Sequence, residues 1–141
     1  MFNKMIGSSN GIWQAGAIIL RAVAGLIIFR YGLEIFSEDK MGGYTSWLTD
    51  LGFPYPRTMA TIGKVIELAG GLLMAIGLFT RLVAIPLIIT MSVICFIMGE
   101  PEFLAADASL LLMLIYLHFL FTGPGKLSLD HILFRPKTNT D

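Results

Sequence analysis

The 141-residue sequence is poor in the residues that carry most metal and redox chemistry, with one cysteine and two histidines, and charged residues fill only 14% of its positions. A lone Cys95 excludes an internal disulfide and a Cys-x-x-Cys couple, so dithiol chemistry would need a second protein. Of the histidines only His118 stands in an apolar run, which leaves no pair for bis-histidine haem ligation, and no Glu-x-x-His pairs occur for a di-iron bundle site. No flavin, nucleotide or metal motif is present either. Lys plus Arg and Asp plus Glu both number 10, so no excess charge recruits nucleic acid or another polyanion. Apolar residues are abundant. A hydrophobic share of 55% and a mean hydropathy of +0.76 put residues 1–141 among membrane proteins, as one domain by length.

Four apolar segments, roughly 13–36, 58–79, 82–98 and 104–121, approach the roughly 20 residues needed to cross about 30 Å of hydrocarbon. The expected fold class is all-α, an integral membrane four-helix bundle. "TRL" and "GEPEF" separate the second, third and fourth segments, as tight hairpins between antiparallel neighbours do. The first segment differs from a signal peptide: it contains Arg21, exceeds a signal core in length, and is followed by "SEDK" rather than small residues.

Basic residues set the expected orientation, because cytoplasmic flanks retain them. Lys4, Arg81, Lys126, Arg135 and Lys137 fall on one side, and Lys40 and Arg57 on the other. Both termini are therefore expected in the cytoplasm, and the 37–57 connection outside, across a bacterial-type cytoplasmic (inner) membrane. In that connection Tyr44, Trp47, Leu48 and Leu51 recur at helical spacing before Pro54 and Pro56. This pattern fits a short amphipathic lid in the membrane interface, and equally a loop with aromatic anchors. The tail, 122–141, opens with "GPGKLSLDHILF"; Gly123 and Pro124 end the fourth helix, and its leucines suit the headgroup region.

Arg21, Arg30, Glu34, Lys64, Glu67, Asp107 and His118 are polar residues in apolar solvent. One Asp, Lys or Arg at a helix centre costs about 2.5–3.5 kcal/mol, against a gain of about 0.3–0.6 per Leu, Ile, Phe or Val. Several such charges in a short chain must pair or face a wet cavity. Arg30 and Glu34 are four apart and Lys64 and Glu67 three apart, so each pair shares a helix face. With the expected directions, Arg30, Glu34, Lys64, Glu67 and Asp107 all fall in the extracytoplasmic half, where Glu100 and Glu102 would make the mouth acidic. A registry network with snorkelling Lys64 and Arg30 is the structural alternative to a ligand site. Glu67, nearly three turns into its span, is the strongest single candidate and a candidate proton relay. Arg21 and His118 lie near the cytoplasmic side, in reach of each other or of a ligand headgroup.

Small residues line the first two spans, among them Gly25, Gly32, Gly70, Gly71, Ala75 and Gly77. Their default role is close helix packing, with room for a ligand ring beside Glu67 and for a homodimer contact as further uses.

Taken together, "RAVAGLIIFRYGLEIF", "GFP", "ELAGGLLMAIGLFTR" and "GPGKLSLDHIL" make the chain similar to the DoxX family of small four-helix membrane proteins, over most of its length. Arg21, Glu67, Gly70 and Gly71 match the family pattern; Glu34 departs from it, where many relatives carry lysine. The resemblance implies a membrane component of a redox system, of the kind associated with thiosulfate:quinone oxidoreductase and with thiol and oxidative stress. The expected function is a membrane subunit that binds a quinone-like lipophilic ligand in a charged intramembrane pocket, with electrons supplied by a partner oxidoreductase. The alternative is a non-enzymatic protein that binds, transports or scaffolds a lipid, a small solute or a partner protein. Candidate ligand-binding residues are Arg21, Arg30, Glu34, Lys64, Glu67, Gly70, Gly71, Asp107 and His118.

Overall fold

The computed structural model describes residues 10–97, 103–125 and 128–133, and among these every regular element is helical. Helix α1 (Asn10–Gly32) runs into a 3-10 turn (Leu33–Phe36) and is followed by α2 (Glu38–Asp50), α3 (Pro56–Ile76), α4 (Thr80–Phe96), α5 (Phe103–Thr122) and α6 (Leu129–Leu133). Two segments, Trp13–Phe36 and Pro56–Ile76, are long and apolar enough to cross a membrane; Thr80–Phe96 and Ala108–Thr122 are apolar but shorter. Glu100, Glu102, the Asp107 side chain and the flanking Lys4, Lys126, Arg135 and Lys137 lie outside the described residues.

Helix α1 packs along α3 and α4 along α5, while α3 also contacts α4 and so joins the two pairs. The core between them holds Ala24, Ile28, Met74, Leu87, Met91 and Tyr116, each buried. Outward faces are equally apolar: Ile19, Leu26, Ile62, Leu82 and Leu111 are each more than half exposed. Exposed apolar surface on this scale is unfavourable against water and well matched to acyl chains, which is the solvent of a membrane protein.

Glycine sets the α1–α3 distance. A Cβ built on Gly25 would lie 2.5 Å from the Ala75 nitrogen, one on Gly71 2.5 Å from the Phe29 nitrogen, and one on Gly32 would collide with the Leu68 backbone. Backbone meets backbone at three levels, as small-residue helix pairs in membranes do. Gly71 therefore takes part in the α1–α3 contact and is absent from the lining of the cavity described below. Gly70 faces α4, where its Cβ would meet Leu87 at 3.1 Å.

The α3–α4 turn falls at Gly77–Phe79, a few residues before the expected "TRL" break. Gly77 takes the left-handed conformation at φ 74, and the Leu78 N–H reaches back to the Leu73 carbonyl at 2.9 Å, which satisfies an otherwise orphaned helix end. Pro86 sits inside α4 and removes one N–H from its ladder. The connection after α1 resolves in favour of a helix: α2 buries Met41 and Leu48, half-buries Tyr44 and Trp47, and lies on α3. Leu51, expected on the same face, follows the end of α2 and is 42% exposed.

Candidate functional site

The buried stripe of α3 reads Ala60, Lys64, Glu67, Gly70, Gly71 and Met74. Two of these positions, which a 3.6-residue repeat turns toward the core, hold opposite charges. They open onto a cavity of 520 Å³ bounded by α1 to α5, with Ile28, Ile66, Met91, Ile94 and Leu112 among its apolar walls and Trp47 and Leu48 of α2 over it. Its size lies within the range of small-molecule sites.

Lys64 is the hub of the polar wall. Its ammonium donates to Glu67 Oε2 at 2.8 Å, to Glu34 Oε2 at 3.1 Å and to the Tyr31 carbonyl at 3.3 Å, which uses all three of its N–H bonds. It also sits 4.3 Å above the Tyr44 ring, a cation–π contact in a desolvated setting. The Tyr44 hydroxyl donates to Glu34 Oε2 at 2.5 Å. Burial and that bond to a carboxylate push the Tyr44 hydroxyl up to about 12, so it remains a donor at neutral pH. Lys40 lies 3.9 Å from Glu34 Oε1 on the exposed side. The inner wall therefore carries two carboxylates against one ammonium. Among the described residues no three His, Cys, Asp or Glu side chains come together as a metal-binding group.

Glu34, Lys64 and Glu67 converge as their spacing predicts; the other candidates do not join them. Arg30 is exposed and is absent from the cavity lining. The expected Arg30–Glu34 pairing requires continuous α-helix, but α1 ends at Gly32 and the tighter 3-10 turn changes the phase, sending Glu34 to Lys64 and Tyr44. Gly70 and Gly71 pack against Leu87 and α1, as described above. His118 is exposed on α5, edge-on to Phe119 with ring centroids 5.3 Å apart. Cys95 is half-buried and does not line the cavity.

Arg21, by contrast, is buried, 2% exposed, at the other end of the molecule. Its guanidinium packs over Gly77, where a Cβ would lie 2.6 Å from its central carbon, and donates to the Pro124 carbonyl. Arg21 thus ties α1 to the turn after α5. Two participants were not singled out from the residues alone: Tyr44 as a partner of both Glu34 and Lys64, and Asp130, whose carboxylate accepts the Phe79 and Thr80 N–H groups. Helical spacing marked Tyr44 as an apolar-face residue, but its hydroxyl has no sequence-level partner. The Asp130 bonds join α6 to the start of α4 and have no local signal.

Residues 16–100 match the DoxX family model. A Bacillus subtilis protein named "Putative oxidoreductase CatD" is 33% identical over 132 residues, covering 92% of this chain and 96% of the relative. The "Uncharacterized membrane protein Rv3486" of Mycobacterium tuberculosis is 30% identical over 139 residues, covering 86% and 83% respectively. An uncharacterized protein of Haemophilus influenzae is 34% identical over 124 residues, with 82% and 89% covered. No solved structure matches the chain. A family match over more than half of the residues, together with relatives aligned over most of their length, makes this chain a member of the DoxX family of membrane proteins.

Proposed function

We propose that the chain is a membrane subunit of a redox system and that its cavity holds a quinone-like lipophilic molecule. In this reading α1, α3, α4 and α5 all cross the bacterial cytoplasmic (inner) membrane as a four-helix bundle, with both termini in the cytoplasm and α2 on the outer face. The observation that carries the proposal is the 520 Å³ cavity, apolar on most sides and charged on one wall. A ring and tail fit against Ile28, Met91 and Leu112, while Glu67 and its neighbours meet the polar head. Quinone reduction and oxidation move protons with electrons, and a buried carboxylate beside an ammonium is a suitable proton relay. Electrons enter from a partner oxidoreductase, in line with the oxidoreductase name carried by the Bacillus subtilis relative.

The test is photolabelling of the detergent-purified chain with an azido-benzoquinone carrying a decyl tail. Label on the cavity-lining peptides of α2, α3 and α4, displaced by unlabelled decyl-benzoquinone, is the expected result. Label confined to outward residues such as Leu26 and Leu82, with no displacement, would overturn the reading.

A further inference from the structure

The hydrogen-bonding capacity of the charged wall is lopsided. All three Lys64 N–H groups are committed, to Glu67, Glu34 and the Tyr31 carbonyl. The Tyr44 hydroxyl proton is committed to Glu34, and the Thr90 hydroxyl, also on the cavity lining, donates to the Pro86 carbonyl at 3.0 Å. On the acceptor side, Glu67 Oε2 takes the Lys64 bond, while Oε1 has no hydrogen-bond partner among the described residues. The Glu67 side chain is 4% exposed and lines the cavity. Two lining donors, the Trp47 N–H and the Tyr31 hydroxyl, are uncommitted among the described residues; Trp47 packs against the Met41–Leu48 cluster, and Tyr31 is 47% exposed.

We infer that the cavity selects a guest whose ring carries hydroxyl donors, the hydroquinone form, over the same ring bearing carbonyls. This rests on reading the cavity as a site for lipophilic rings and goes on to name the form it prefers. A carbonyl placed at Glu67 sets a lone pair against a carboxylate and leaves Oε1 without a donor. A hydroxyl placed there makes a charge-assisted hydrogen bond and completes the valence of the wall without breaking any bond of Lys64.

The experiment compares four probes of equal tail length on the detergent-purified wild-type chain under anaerobic conditions: decyl-hydroquinone, its O,O-dimethyl ether, decyl-benzoquinone and decylamine. Dissociation constants are read for each probe separately by isothermal titration calorimetry. The expected result is that decyl-hydroquinone binds at least about tenfold more tightly than the ether and the quinone, the size of one hydrogen bond to a charged group. Glu67→Gln should draw these affinities together, because an amide serves donor and acceptor heads alike. Equal or tighter binding of the quinone or the ether would overturn the inference while leaving the lipophilic-ring site standing. Tighter binding of decylamine would overturn it in favour of a cation site. Failure of all four to bind would remove both the inference and the reading beneath it. The wild-type comparison decides these outcomes even if Glu67→Gln does not fold.

Discussion

Asp130 caps the helix that begins at Thr80, its Oδ2 accepting the Thr80 N–H at 2.9 Å while Oδ1 accepts that of Phe79 at 2.6 Å. A carboxylate at a helix N-terminus satisfies orphan donors and complements the positive end of the dipole. Here it also fastens the chain after α5 to the start of α4, and the buried Arg21 adds an opposite charge nearby. Residues 128–133 are therefore clasped to the start of α4.

Asp130→Ala should lower stability by about 1–2 kcal/mol, the usual range for losing a cap, with Asp130→Asn losing less. Thermal unfolding in mild detergent measures this. Ligand affinity in the distant cavity should be unchanged. An Asp130→Ala variant as stable as wild type would show that the clasp contributes nothing.

Glycine substitutions should sort by what their Cβ meets. Gly32→Ala and Gly71→Ala force α1 and α3 apart, because the obstructing atoms are backbone, and should each cost about 1–3 kcal/mol. A Cβ at Gly63 meets nothing within 4 Å, so Gly63→Ala should be neutral or gain up to about 1 kcal/mol from helix propensity. Gly63 also lines the cavity, and Gly63→Leu should fill space there, abolishing photolabelling with little loss of stability. Equal unfolding temperatures for Gly32→Ala and Gly63→Ala would contradict the close α1–α3 contact.

The positions of the helices were legible in the chain because apolar runs and glycines report solvent and spacing directly. The Lys64–Glu67 pair was legible for a similar reason: two residues three apart within one helix share a face whatever the fold. Arg30–Glu34 looked equally secure and was not, since nothing in the residue pattern announced that α1 would end at Gly32 and tighten into a 3-10 turn. Gly70 and Gly71 match the family pattern beside Glu67, yet a glycine that admits a ligand and one that admits a helix look identical until the neighbour is placed. The contacts of Tyr44 and Asp130 depend on tertiary distance alone.

The Tyr44 hydroxyl gives a pH signature. Its pKa is raised from the ordinary 10.0 to about 12, so folding favours the protonated phenol. The resulting stability is fully present below pH 10 and is lost as pH rises through 10 to 12, where the unfolded chain releases the proton before the folded one. Tyr44→Phe removes the bond to Glu34 and should flatten that alkaline decline. Ultraviolet difference titration should show one tyrosine ionising near 12 that is absent from the variant. A normal tyrosine titration in the wild type would rule out the Tyr44–Glu34 bond.

The buried ions should behave as a unit rather than as separate residues. Lys64→Met strands Glu67 against an apolar wall, while Glu34 keeps Tyr44 and Lys40, and breaking a buried pair in this way typically costs about 3–5 kcal/mol. Glu67→Gln should cost less, because Lys64 retains Glu34 and the Tyr31 carbonyl. The double variant Lys64→Met, Glu67→Gln removes one stranded charge, so its loss should fall short of the sum of the single losses by at least about 1 kcal/mol. A double-mutant cycle from unfolding in detergent measures that difference. Strict additivity would mean that the 2.8 Å contact carries no coupling, and Glu67 would then lose its support as a residue held in place by Lys64 at the cavity wall.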